Sequence, residues 1–86
     1  MVGIGKRIKM LRDEKELSLN MFVTDINTKY PDAKIDKSMI SRWENEVNEP
    51  SLDKAKYLSL YYDVSLDYLI GLTDVRTPSR LLALRK

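Results

Sequence analysis

The 86-residue chain predicts an all-α fold, a compact bundle of five short helices. Apolar residues recur at spacings of three and four, and no segment shows the alternation of a strand. Ser or Asp stands directly ahead of four of these periodic segments, where a short side-chain acceptor closes free N–H groups. Pro31, Pro50 and Gly71 fall at segment ends, where helices stop.

The elements follow in order. Ile4, Ile8 and Leu11, with Lys and Arg between them, make a first amphipathic helix ending near Glu16, and Leu17 follows it into the core. Ser18 caps a second helix that turns Phe22, Val23 and Ile26 to one side and runs toward Tyr30, where Pro31 prevents simple continuation. The stretch PDAKID is then a loop. Asp36 caps a short third helix through about Asn45, and NEP breaks the chain. Ser51 caps a fourth helix with Leu52, Ala55, Leu58 and Tyr62 facing inward, and Ser65 caps a fifth, LDYLI, closed by Gly71. Residues 1–74 thus read as one domain and 75–86 as a basic tail. In the tail, Thr77 as N-cap and Pro78 at the first helical position introduce Leu81, Leu82 and Leu84. A helix this short is marginal alone. The tail is therefore either a frayed terminus or a segment whose leucines pack on a second subunit or a further domain.

Composition narrows the function. With no Cys and no His, disulfides, the common zinc sites, a Cys nucleophile and Ser/His chemistry are excluded, and no constellation supports an enzyme or a cofactor. No apolar run approaches the about eighteen residues of a membrane span, and the chain is expected in the cytoplasm. The net charge of +2 conceals an uneven distribution. Lys6, Arg7 and Lys9 at the front and Arg76, Arg80, Arg85 and Lys86 at the back carry no acid among them, whereas residues 10–75 hold 8 cations against all 13 acids, a net of −5. Any argument for a nucleic-acid partner must be local. The front cluster reads either as the wet face of the first helix or as a set of phosphate contacts.

The third helix makes that local argument. At about 100° per residue, Ile40, Trp43 and Glu44 share one arc, while Ser38, Ser41, Arg42 and Asn45 share the opposite one. Trp43, the only tryptophan, is thereby a core anchor. The outward face has no apolar surface to bury and suits a groove lined with hydrogen-bonding groups, since Arg reaches guanine bidentately and Ser or Asn meets base edges or phosphates.

The run SMISRWENEVNEPSLDKAKYLSLYYDVSLDYLIG, with RIKMLRDEKELS before it, resembles the helix-turn-helix of the Cro and phage-repressor (XRE-type) superfamily. Ile40 to Glu44 match the Ile-Ser-x-Trp/Tyr-Glu end of its recognition helix, Pro50 and Ser51 its fourth-helix opening, and Val64 to Gly71 its closing run. The resemblance spans most of residues 4–74 and implies a lambda-repressor-like five-helix fold whose third helix enters the major groove, generally as a homodimer on a pseudo-palindromic operator. It places base contacts on Lys37, Ser38 and Arg42, with Ser41 as a further base or phosphate contact. Candidate DNA-backbone contacts are Ser18, Asn20, Lys34, Asn45 and Asn48, and Arg12 and Glu44 match the family's buried ion pair. Three positions depart from the pattern. Leu19 stands where a backbone-contacting Gln is usual. Glu46 replaces the usual Gly after the recognition helix, leaving Asn45 as an alternative for the left-handed position. The turn between helices two and three is expanded by TKYPDAKI, which lengthens helix two, holds Lys29 and Lys34 against the backbone, or loops out.

These readings lead to a sequence-specific DNA-binding regulator, first a phage- or prophage-type repressor acting by operator occupancy. The alternatives are a restriction-modification controller, an antitoxin of a toxin–antitoxin operon, or a protein-interaction module that kept the scaffold and lost DNA binding.

Overall fold

A computed structural model describes residues 3–78. They form five α-helices and no strand: α1 Ile4–Glu14, α2 Leu19–Lys29, α3 Lys37–Glu44, α4 Leu52–Tyr62 and α5 Leu66–Leu69, with a one-turn 3-10 helix, Pro31–Ala33, between α2 and α3. The expected caps are engaged. Ser18, Asp36, Ser51 and Ser65 accept, through their side chains, the N–H groups of Met21, Met39, Lys54 and Tyr68. No helix among the described residues is long and apolar enough to cross a membrane.

Helix ends reveal a feature that residue types conceal. Leu17, Val47, Val64 and Leu72 donate N–H bonds five residues back, to the carbonyls of Arg12, Arg42, Ser59 and Asp67, and the residue before each adopts positive φ. Four helices thus end in the same closed loop, which satisfies their last carbonyls. The left-handed residue is Gly71 in one case and Glu16, Glu46 and Asp63 in the others. Glu46 takes the conformation itself (φ 58°), and Asn45, the alternative for it, stays right-handed at φ −91°. The helix-ending hydrogen bonds fall one residue beyond Asn45, and these fix which residue must turn.

The core joins Ile8 and Leu11 of α1, Phe22 and Ile26 of α2, Ile40 and Trp43 of α3, Ala55, Leu58, Tyr61 and Tyr62 of α4, and Tyr68 and Leu69 of α5. Phe22, Tyr61 and Tyr62 cluster at its centre with ring centroids 5.0–5.5 Å apart, Phe22 stacked on Tyr62 and Tyr61 edge-on to both. Leu52, expected inside, is 67% exposed because it occupies the first position of α4, before the helix reaches the core that Ala55 meets one turn later. The PDAKID stretch is also more ordered than a free loop. Ala33 and Ile35 are buried within it, and Lys34 between them turns left-handed (φ 51°).

Two close approaches set helix positions. A Cβ on Gly5 would stand 2.2 Å from the Trp43 carbonyl, so only glycine lets α1 lie this tightly on the end of α3. Arg7, grouped with Lys6 and Lys9 as a surface cation, is instead buried. Its guanidinium donates to the carbonyls of Tyr68 (3.0 Å) and Thr73 (2.9 Å), pairs with Asp74 (2.7 Å) and lies 4.3 Å from the centre of the Tyr68 ring. The chain after α5 returns over α1, where exposed carbonyls need a donor. Arg76 lies over the same ring and clasps Glu14 through two bonds of 2.8 and 2.6 Å, and Ser65 N–H reaches the Arg76 carbonyl (2.8 Å). Leu81, Leu82 and Leu84 lie outside the described residues.

Candidate nucleic-acid interface

Helix α3 is short, and its placement depends on one face. Ile40 is fully buried and Trp43 is 4% exposed, which turns Lys37, Ser38 and Arg42 to solvent and leaves Ser41 half-buried between the two faces. Lys37, Ser38, Ser41 and Arg42 line a shallow groove completed by Leu19 at the start of α2. The base-contact candidates are therefore brought together, and an apolar side chain stands among them where a polar one is usual in the resembling family.

The far end of α3 is fixed by charge. Arg12 Nε and Nη2 donate to the two Glu44 carboxylate oxygens at 2.7 and 2.8 Å, and Nη1 donates to the Leu17 carbonyl at 2.8 Å. The two side chains are only 13% and 7% exposed. A planar fork on a carboxylate holds distance and angle together, so the pair ties α3 to α1 and to the turn into α2. The Glu46 carboxylate, a potential repellent for phosphate, is turned toward α1, and a Cβ on Gly3 would lie 2.7 Å from its Oε1. The positive end of a helix favours an anion there.

The backbone-contact candidates divide. Asn20, Lys34 and Asn48 are exposed, whereas the Ser18 hydroxyl oxygen caps α2, 3.1 Å from Met21 N–H. The Asn45 amide folds back on α3, donating to the Ser41 carbonyl at 2.8 Å. Lys29 pairs with Asp25 at 3.6 Å and lies over the Tyr61 ring, and Lys9 pairs with Asp13 at 3.3 Å.

Two groups that hold the α2–α3 connection, on α2 and α4, were not anticipated from sequence. Asn27 donates to the Ile35 carbonyl (2.7 Å) and accepts from the Ile35 N–H (3.0 Å), while Lys54 of α4 donates to the Ala33 carbonyl. The looped-out reading of the connection is thereby excluded, since the backbone groups of Ala33 and Ile35 are paired and both side chains are in the core. Neither residue lies on an apolar stripe, so periodicity carried no signal for them.

Comparison with known proteins agrees with this geometry. A family model described as a helix-turn-helix domain matches residues 5–75. YobD of Bacillus subtilis (strain 168), described as an uncharacterized HTH-type transcriptional regulator, is 36% identical over 73 residues, which cover 85% of this chain and 59% of YobD. The chain thus spans about 59% of that relative's length. No solved structure gives a significant match. With the α2–α3 pair, the capped fourth helix and the matched span in agreement, the chain belongs to the helix-turn-helix family of the XRE-type superfamily.

Proposed function

We propose that this domain is a sequence-specific DNA-binding transcription regulator, a repressor of the phage or prophage type that occupies a pseudo-palindromic operator as a homodimer. The carrying observation is where unpaired charge lies. Among the described residues, most Lys and Arg side chains meet a carboxylate, a carbonyl or an aromatic ring, and Lys6, Lys34, Lys37 and Arg42 meet none. Lys37 and Arg42 stand on the exposed face of α3, and Lys34 stands three residues before it. A fold with an acidic interior stretch that leaves its cations free here presents a local positive edge to phosphate, with hydroxyls at hand for bases. In this reading Lys37, Ser38 and Arg42 contact bases, Ser41 a base or phosphate, and Asn20, Lys34 and Asn48 the backbone. Ser18 and Asn45 act mainly as local caps. Leu81, Leu82 and Leu84 supply subunit contact.

Selection of bound sequences from a random DNA pool tests the proposal, followed by titration of the winner at several salt concentrations. Arg42→Ala should weaken the selected site by about 1–3 kcal/mol and relax preference at one base pair per half-site. Lys9→Ala removes the same charge and should weaken all sequences alike, if at all. Equal loss on selected and random DNA for Arg42→Ala would defeat the base-reading role. Failure of the parent chain to bind any DNA at low salt would leave a protein-interaction module, in which Leu19 in the groove is the contact.

A further inference from the structure

We infer that Asn27 is a positioning residue for the start of helix α3, acting with Lys54 to clamp residues 33–35 so that Lys37 and Ser38 meet bases in a fixed register; this rests on the DNA-binding reading of α3. The two ends of α3 are held differently. Its C-terminal end carries Trp43 in the core and the Arg12–Glu44 fork. Its N-terminal end is fed by the seven-residue connection 30–36, which has no regular structure of its own beyond one 3-10 turn. Buried backbone must be paired, and Ile35, 2% exposed, has both its N–H and its C=O taken by one side chain. Only an amide side chain offers donor and acceptor side by side for this. Ile35 precedes Asp36, whose carboxylate caps α3 through Met39 N–H at 2.9 Å, and Lys37 is the next residue. The clamp is thus two residues from the first base-contact candidate. Lys54 holds the Ala33 carbonyl from the other side, which fixes the left-handed turn at Lys34. Asn27 is uncharged and half-buried, so removing it leaves the field toward DNA unchanged.

The test compares Asn27→Ala, Arg42→Ala and the parent chain on the selected site, on single-base variants of that site and on random DNA, at a temperature where circular dichroism shows all three folded. Asn27→Ala should lower affinity for the selected site about tenfold and flatten preference at the base pairs read by Lys37 and Ser38. Preference at the Arg42 base pair and binding to random DNA should be retained. A merely structural role lowers the melting temperature and leaves the base-by-base profile of the folded protein intact, and that result overturns the inference alone. If Asn27→Ala does not fold, the neutral Asn27→Ser, too short to hold both Ile35 backbone groups, should shift the same base pairs; an unchanged profile overturns the inference equally. No binding by the parent chain overturns both this inference and the function it rests on.

Discussion

The Arg12–Glu44 pair shows how much one contact carries. Both charges are nearly out of water, and each has its counterpart in bidentate geometry. Removing one partner strands the other, so Glu44→Ala should destabilise the domain by about 3–5 kcal/mol in a denaturant melt, and a loss below about 1 kcal/mol would mean that water screens the pair. This pairing was readable in the sequence through the family pattern, as was the buried phase of Trp43. Arg7 was not. Its phase on α1 sets it beside Ile4, Ile8 and Leu11 and away from Lys6 and Lys9, but its charge grouped it with them, and the Tyr68 carbonyl with the returning segment 73–76, distant in sequence, supplies the acceptors that draw it in. Gly5 gave no signal either, because a close approach to the Trp43 carbonyl has no periodic signature.

Helix α1 was legible from its apolar stripe alone, and α2 to α5 because each also starts with a capping side chain. Their ends were less so. The turn that closes α1, α3 and α4 places Glu16, Glu46 and Asp63 in a left-handed conformation that residue preference alone would not assign to them. Glu16 is exposed with no side-chain partner among the described residues, which makes it the clean probe. Glu16→Gly relieves the left-handed strain against a small gain in unfolded-chain entropy and should stabilise by about 0.5–1 kcal/mol, read from the urea midpoint at unchanged slope. The connection between α2 and α3 corrects a simpler expectation. Loop closure depends weakly on length, yet TKYPDAKI is not a free loop to be shortened, since Ala33 and Ile35 are core residues and their loss opens a cavity beneath α2.

For the molecule as a whole, ionisation limits stability on both sides of neutrality. Arg76 holds the Glu14 carboxyl below its ordinary value by hydrogen bonding, and the Tyr61 hydroxyl, 2.5 Å away, does the same for Asp25. Both groups bind protons less readily when folded, so their contribution is complete above the ordinary carboxylate value of about 4 and fades as pH falls below it. Burial raises Tyr61 and Tyr62 in the opposite sense. The folded state keeps those phenols protonated, and stability is lost as pH rises past about 10, where the unfolded chain ionises. Urea midpoints measured across pH should form a plateau with two falling limbs, and Tyr62→Phe should flatten the alkaline limb. Net charge, by comparison, gave little guidance to the binding face, since most cations are spent in local pairs and only their three-dimensional pairing exposes the remainder. The buried Trp43 has an optical consequence. The chain holds one indole, 4% exposed, on the rear of the helix that bears Lys37 and Arg42. Its emission should be blue and shift to the red when α3 detaches, even while ellipticity from α1, α2 and α4 persists, so fluorescence follows the undocking of that one helix separately from the melting of the bundle.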